Sequence, residues 1–251
     1  MARDTLSTDS LSEATRDRSE FSGHGEAKGA AGYRTEEILP VGDEERIEQT
    51  GQTGIVNPRP EGFGRIAIGF SWENIVDDLP VPEQIKRKIK GQDGVDLDLG
   101  CLYELQNGER GALQAFGGSH GNYDTVPFIA LSDDERTGDT HGVDEYLSIN
   151  GHRWADIKRI LIYVYIYKGV EDWNHVLPRV EVTLSGEHPL IVVPDVHQDE
   201  LPVCVIAGLE NVRNGIKLTN HTEYYAGHAE MDRAFGFGLE WKDGTKGDND
   251  E

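Results

Sequence analysis

Asp96 and Asp98 stand two residues apart in a run, Val95 to Tyr103, that alternates polar and apolar positions. A strand has period two, so both carboxylates leave one face while Leu97, Leu99, Cys101 and Tyr103 take the other, toward a core. Like charges on one face repel each other. A hard cation, basic side chains or solvent at an edge must compensate. Ca²⁺ is coordinated by roughly six to eight oxygens, so two carboxylates need help from a second segment. Residues 132–145 are that segment, with six carboxylates in fourteen residues, among them Asp134, Asp139, Asp144 and Glu145. It is no EF-hand, because with Asp134 in the first ligand position Arg136 falls where the third ligand belongs. The alternative is an acidic loop of an acidic protein in which Arg136 pairs with a neighbour.

A second cluster runs from His221 to Asp232 and includes Glu223, His228 and Glu230. Its ligand types suit zinc or another transition metal. On a strand over 222–226, His221, Glu223 and Tyr225 share a face, but His228 lies beyond Gly227 and need not converge with them. There is no His-Glu-x-x-His and no two-cysteine arm. Surface contact and ordinary packing are the competing readings.

Other chemistries find little support. Gly117-Gly118-Ser119-His120-Gly121 departs from Gly-x-Ser-x-Gly by one spacing, so Ser119 reads as a polar turn. Neither a Walker A sequence nor a Rossmann glycine fingerprint occurs. Cys101 and Cys204 sit in apolar strand patterns and read as buried thiols rather than nucleophiles or a disulfide. The basic run Lys86 to Lys90 reads as a solvated loop or short helix. With 24 basic against 46 acidic residues, the formal charge of −22 disfavours nucleic acid and anionic membranes as partners and suits cations or a basic partner. No apolar run is long enough for a transmembrane helix, and no secretory h-region is visible, so a cytoplasmic location is expected.

The elements that must position these residues read as strands. Candidates are 65–72, 95–103, 112–116, 128–131, 146–149, 160–167, 180–184, 190–193, 203–209, 216–219, 223–226 and 235–241, punctuated by Gly, Pro, Asn and Asp. Trp154 to Ile157 reads as one helical turn. With no βαβ rhythm, the expectation is an all-β fold, a two-sheet antiparallel β-sandwich preceded by a disordered acidic N-terminal segment. The first 60 residues hold 12 acidic and 7 basic residues and only two aromatics, too little apolar surface to offset ordering entropy. The expected boundaries are 1–58 for a disordered or loosely docked segment, 59–246 for the sandwich and 247–251 for a frayed tail. Arg159 to Tyr167 is apolar on both parities and so reads as a central strand covered on both faces. Its alternating Tyr163, Tyr165 and Tyr167 read as packing at a sheet rim with hydroxyls reaching water, or as the lining of a pocket.

Several of these segments together resemble the tellurium-resistance stress-protein (Ter) family. They are Gly69-Phe70-Ser71-Trp72, Asp96-Leu97-Asp98-Leu99, and Asp134-Glu135-Arg136-Thr137-Gly138 closing at Asp144-Glu145. Asp156 to Tyr163, Tyr165 to Val170, Cys204 to Asn211 and Gly227 to Phe235 resemble its TerA-like branch. The resemblance spans roughly residues 61–246. It implies a non-catalytic β-sandwich that binds Ca²⁺ through Asp96, Asp98, Asp134, Asp144 and Glu145, with backbone carbonyls near Leu97 and Arg136 and with Asp139 as an extra ligand. Ser132-Asp133 replaces the family's Ser-Gly, and Val143 replaces an acidic residue, so a second calcium can be lost. The resemblance further implies protein partners in a tellurite or chemical stress-resistance system. A homo-oligomer is compatible with this pattern. The alternatives are a calcium-dependent carbohydrate or small-ligand module using surface aromatics such as Trp154 and Trp173, and a metal-dependent hydrolase built on His221 and His228.

Overall fold

The structure is a computed structural model, and it describes residues 5–7, 44–74, 96–114, 119–132, 145–168, 173, 176–194 and 201–242. Along the chain run the strands β1 (Thr5–Ser7), β2 (Glu45–Ile47), β3 (Thr53–Val56), β4 (Arg65–Asn74), β5 (Asp96–Leu105), β6 (Arg110–Gln114), β7 (Gly121–Asn122) and β8 (Ile129–Leu131). They continue with β9 (Glu145–Asn150), β10 (Ile157–Lys168), β11 (Val176–Leu184), β12 (Leu190–Val192), β13 (Val203–Val212), β14 (Gly215–Tyr225) and β15 (Glu240–Lys242). A 3₁₀ turn, Gly151–Asp156, precedes β10, and one α-helix, α1 (His228–Phe235), follows β14.

Two large sheets form. One has six strands in the order β3-β14-β13-β10-β5-β6, the other seven in the order β2-β12-β11-β4-β9-β8-β7. Pairing is antiparallel except between β2 and β12 and in a small two-stranded sheet of β1 and β15. The expected all-β, two-sheet class is the one observed. Alternation sets the faces: Leu97, Leu99, Cys101 and Tyr103 of β5, with Ile160, Ile162 and Val164 of β10, enter the core shared with Ile68 and Phe70 of β4.

The other parity of β10 is buried as well. Leu161, Tyr163 and Tyr165 join Leu102, Val203, Val205, Met231 and Phe237 in a second core on the outer face of the six-stranded sheet. The lid of that core is α1 and the chain that follows it. His228, Met231 and Asp232 are buried at helical spacing, and Gly236 ends the helix in the left-handed region at φ 67°. The Tyr163 and Tyr165 hydroxyls therefore do not reach water as expected, while Tyr167 is partly buried. Tyr163 is fully buried and Tyr165 is 3 % exposed.

Three further expectations change. The strand expected over 235–241 is the end of α1 followed by the short β15, because spacings of three and four from His228 onward make a helical stripe rather than a period of two. The strands expected at 216–219 and 223–226 are one strand, β14, whose register against β13 shifts once near Ala207. Residues 45–56, assigned from sequence to the N-terminal segment, supply β2 and β3, with Ile47 and Val56 in the main core. The basic run 86–90 lies outside the described residues.

Candidate functional site

Glu145 of β9 reaches across to β5 at one corner of the sandwich, at the residue next to Asp98. Asp98 is fully buried and projects to the outer face, opposite Leu97 and Leu99. Glu145, the first residue of β9, is 2 % exposed and comes from the facing sheet. Among the described residues, β6 pairs with β5 only from Gly100 onward, so its register stops short of Leu99. The Leu99 amide N–H donates to Glu145 Oε2 at 2.6 Å. This charge-assisted bond ties the two sheets together at the strand end. Tyr165 of β10 stands directly across from Asp98 in the register. Burial first, then the charges of Asp98, Tyr163 and Glu145 and a hydrogen bond donated to Asp98, holds its hydroxyl well above the ordinary phenol range.

Of the residues expected in a metal site, Asp98 and Glu145 are described and buried, with Glu145 bonded to the amide next to Asp98. Leu97 turns its side chain into the core, so any part it plays is through its backbone. The side chain of Asp96 and all of Asp134, Arg136, Asp139 and Asp144 lie outside the described residues. Among the described residues, no three His, Cys, Asp or Glu side chains gather as a metal group.

The His221–Asp232 cluster is taken up by packing. His221 is half-buried, edge-on to Phe235 with ring centres 5.2 Å apart. His228 lies among Tyr163, Tyr165 and Trp241, each with its ring centre 5.2 Å away, and burial pushes its imidazole down to about 4. Asp232 accepts from the Gly238 and Leu239 amides at 2.7 and 2.8 Å and from Trp241 Nε1 at 3.0 Å, closing the turn after α1. Trp154 and Trp173 are buried and donate to the carbonyls of Gly215 and Leu201, so neither is a surface platform for a sugar. Cys101 and Cys204 are free and buried, and burial pushes both thiols up to about 12.

The sequence reading missed an ionic hub. Glu104 is 2 % exposed and accepts from Arg159 Nε at 2.7 Å, Lys158 Nζ at 2.8 Å and Arg110 Nη2 at 3.0 Å. Arg159 and Arg110 also donate to the carbonyls of Phe235, Gly236 and Phe237, clasping the C-terminal end of α1. The available signal was register: Arg110, Glu104 and Arg159 fall in one row across β6, β5 and β10.

Over 184 residues, 73 % of its length, the chain is 36 % identical to the tellurium resistance protein TerA of an Alcaligenes species. Those residues are homologous to TerA. The chain spans about half of that relative, 53 % of its length. A crystal structure of SAV2460, a protein of unknown function, superposes with a TM-score of 0.45 at 15 % identity, over 71 % of this chain and 99 % of that one. No protein-family model matches the chain.

In the TerA-like domain the donors at the β5/β9 corner are all oxygens, which suits a hard cation and not a soft one. Burying two carboxylates in low dielectric is costly, and a bound cation is one way to offset that cost. Asp98 and Glu145 are the described part of such an oxygen donor set, and among the described residues no third carboxylate joins them.

Proposed function

We propose that the TerA-like domain is a non-catalytic Ca²⁺-binding module that acts with protein partners in resistance to tellurite or related chemical stress. The observation that carries this reading is the burial of Asp98 and Glu145 at one strand-end corner. Glu145 is also the last residue of the six-carboxylate run 132–145, so the chain enters β9 directly from that run. Asp98 and Glu145 would hold the ion from the two sheets, and Asp96, Asp134, Asp139 and Asp144 are the candidates to complete its oxygen shell. The ion would neutralise converging negative charge and fasten the acidic run to β5. The tellurium-resistance name of the homologous protein supports the stress setting.

Binding to the native state raises its stability by about 2.7 kcal/mol when free ligand is a hundred times its Kd. Ca²⁺ is expected to raise the Tm of chelator-stripped protein. Mg²⁺ is expected to raise it less, because its small octahedral shell keeps its waters. Differential scanning fluorimetry with each ion makes the comparison. Equal or absent shifts would count against the reading.

A further inference from the structure

We propose that Tyr163, Tyr165 and Gln114 form the outer wall of this cation site, holding water on the ion with neutral oxygens so that it binds more tightly. The inference rests on the calcium reading above and adds three residues to it. Asp98 shares the outer face of the six-stranded sheet with all three. Tyr165 is its direct cross-strand partner, and the next row places Gln114, Gly100 and Tyr163 side by side on β6, β5 and β10.

The Tyr163 ring lies flat across Gly100: a Cβ at that position would stand 2.6 Å from the hydroxyl oxygen and closer still to the ring. Only glycine leaves room for the ring, which carries its hydroxyl across β5 toward Gln114. The Tyr163 hydroxyl and Gln114 Oε1 are inaccessible to solvent and have no hydrogen-bond partner in the protein, while the Tyr165 hydroxyl is held to Asp98. Their residues are 0, 3 and 3 % exposed. A buried polar atom left unsatisfied is destabilising, and native proteins usually satisfy it with protein, water or an ion. Two such atoms, with the Tyr165 hydroxyl on the buried carboxylate, make a polar surface inside an otherwise aromatic core. Their chemistry is that of neutral oxygen donors, which a hard cation and its waters accept.

The test is calorimetric titration of Ca²⁺ into the full chain, as wild type, Tyr163→Phe, Tyr165→Phe, the double variant and Asp98→Ala, with the Tm of each stripped protein. Phenylalanine keeps the ring packing against His228 and removes only the hydroxyl. The expected result is Ca²⁺ affinity at least fivefold weaker in each tyrosine variant and weaker again in the double variant. The stripped Tm of Tyr163→Phe should be unchanged or higher, since an unsatisfied group has been removed. Affinities within twofold of wild type, with Asp98→Ala unable to bind, would overturn the wall and leave the calcium reading standing. A stripped Tm that falls in step with affinity would also overturn it, assigning the hydroxyls to packing. Absence of binding by the wild type would overturn both.

Discussion

Glu104 shows what one residue can hold together. Burial pushes its carboxyl up, and the bonds from Lys158, Arg159 and Arg110 outweigh that, leaving it at about 2 against an ordinary 4.5. The native state therefore binds this proton more weakly than the unfolded chain does. The resulting stability is complete above about pH 4.5 and drains away as pH falls toward 2. Lys158 and Arg110 are partly exposed, which lowers the expected contribution to about 2 kcal/mol. Glu104→Gln should remove it, and urea melts at pH 7 and pH 3 should show a smaller pH dependence in the variant than in the wild type. Equal pH dependence would mean that the hub contributes nothing. Asp98 was legible as a residue because its neighbours alternate so cleanly. Glu104 has the same parity but was passed over, because the outer face of β5 reads as solvent until a lid is known to cover it.

At the scale of elements, the lid is the part that periodicity concealed. α1 is eight residues long, and its aromatic surroundings carry the composition of strands. Its sequence signature was the buried stripe His228, Met231, Asp232 between Gly227 and Gly236. The lid depends on the Asp232 turn, so Asp232→Ala should cost about 2–3 kcal/mol by leaving three donors unsatisfied. The loss should appear first as faster amide exchange over 228–241, while β4 and β11 stay protected. Uniform loss of protection would show that the lid is not a separate unit. On the same face, Gly100→Ala drives a methyl into the Tyr163 ring and is expected to destabilise by about 2 kcal/mol. In the Tyr163→Ala background the same change should cost less, and a full additive penalty in that double-mutant cycle would contradict the contact.

For the molecule as a whole, the strand pattern carried the architecture. A dozen apolar runs with turn residues between them were enough for two sheets, and the doubly apolar β10 was enough for a strand covered on both sides. Long-range order was not legible in the same way. That β2 and β3 extend the two sheets depends on pairing across about 145 and 160 residues, which no local pattern encodes. The site divides likewise. Asp98 and Glu145 were both named from the sequence, but their meeting requires β9 to face β5 from the opposite sheet. The corner with the two buried carboxylates is the place where we propose that calcium binds. Calorimetric titration of Ca²⁺ into the chelator-stripped full chain, beside Asp98→Ala, tests that claim most directly. Saturable binding is expected in the wild type and is expected to be lost or sharply weakened in the variant. No heat of binding at millimolar Ca²⁺, or equal binding by both proteins, would contradict it.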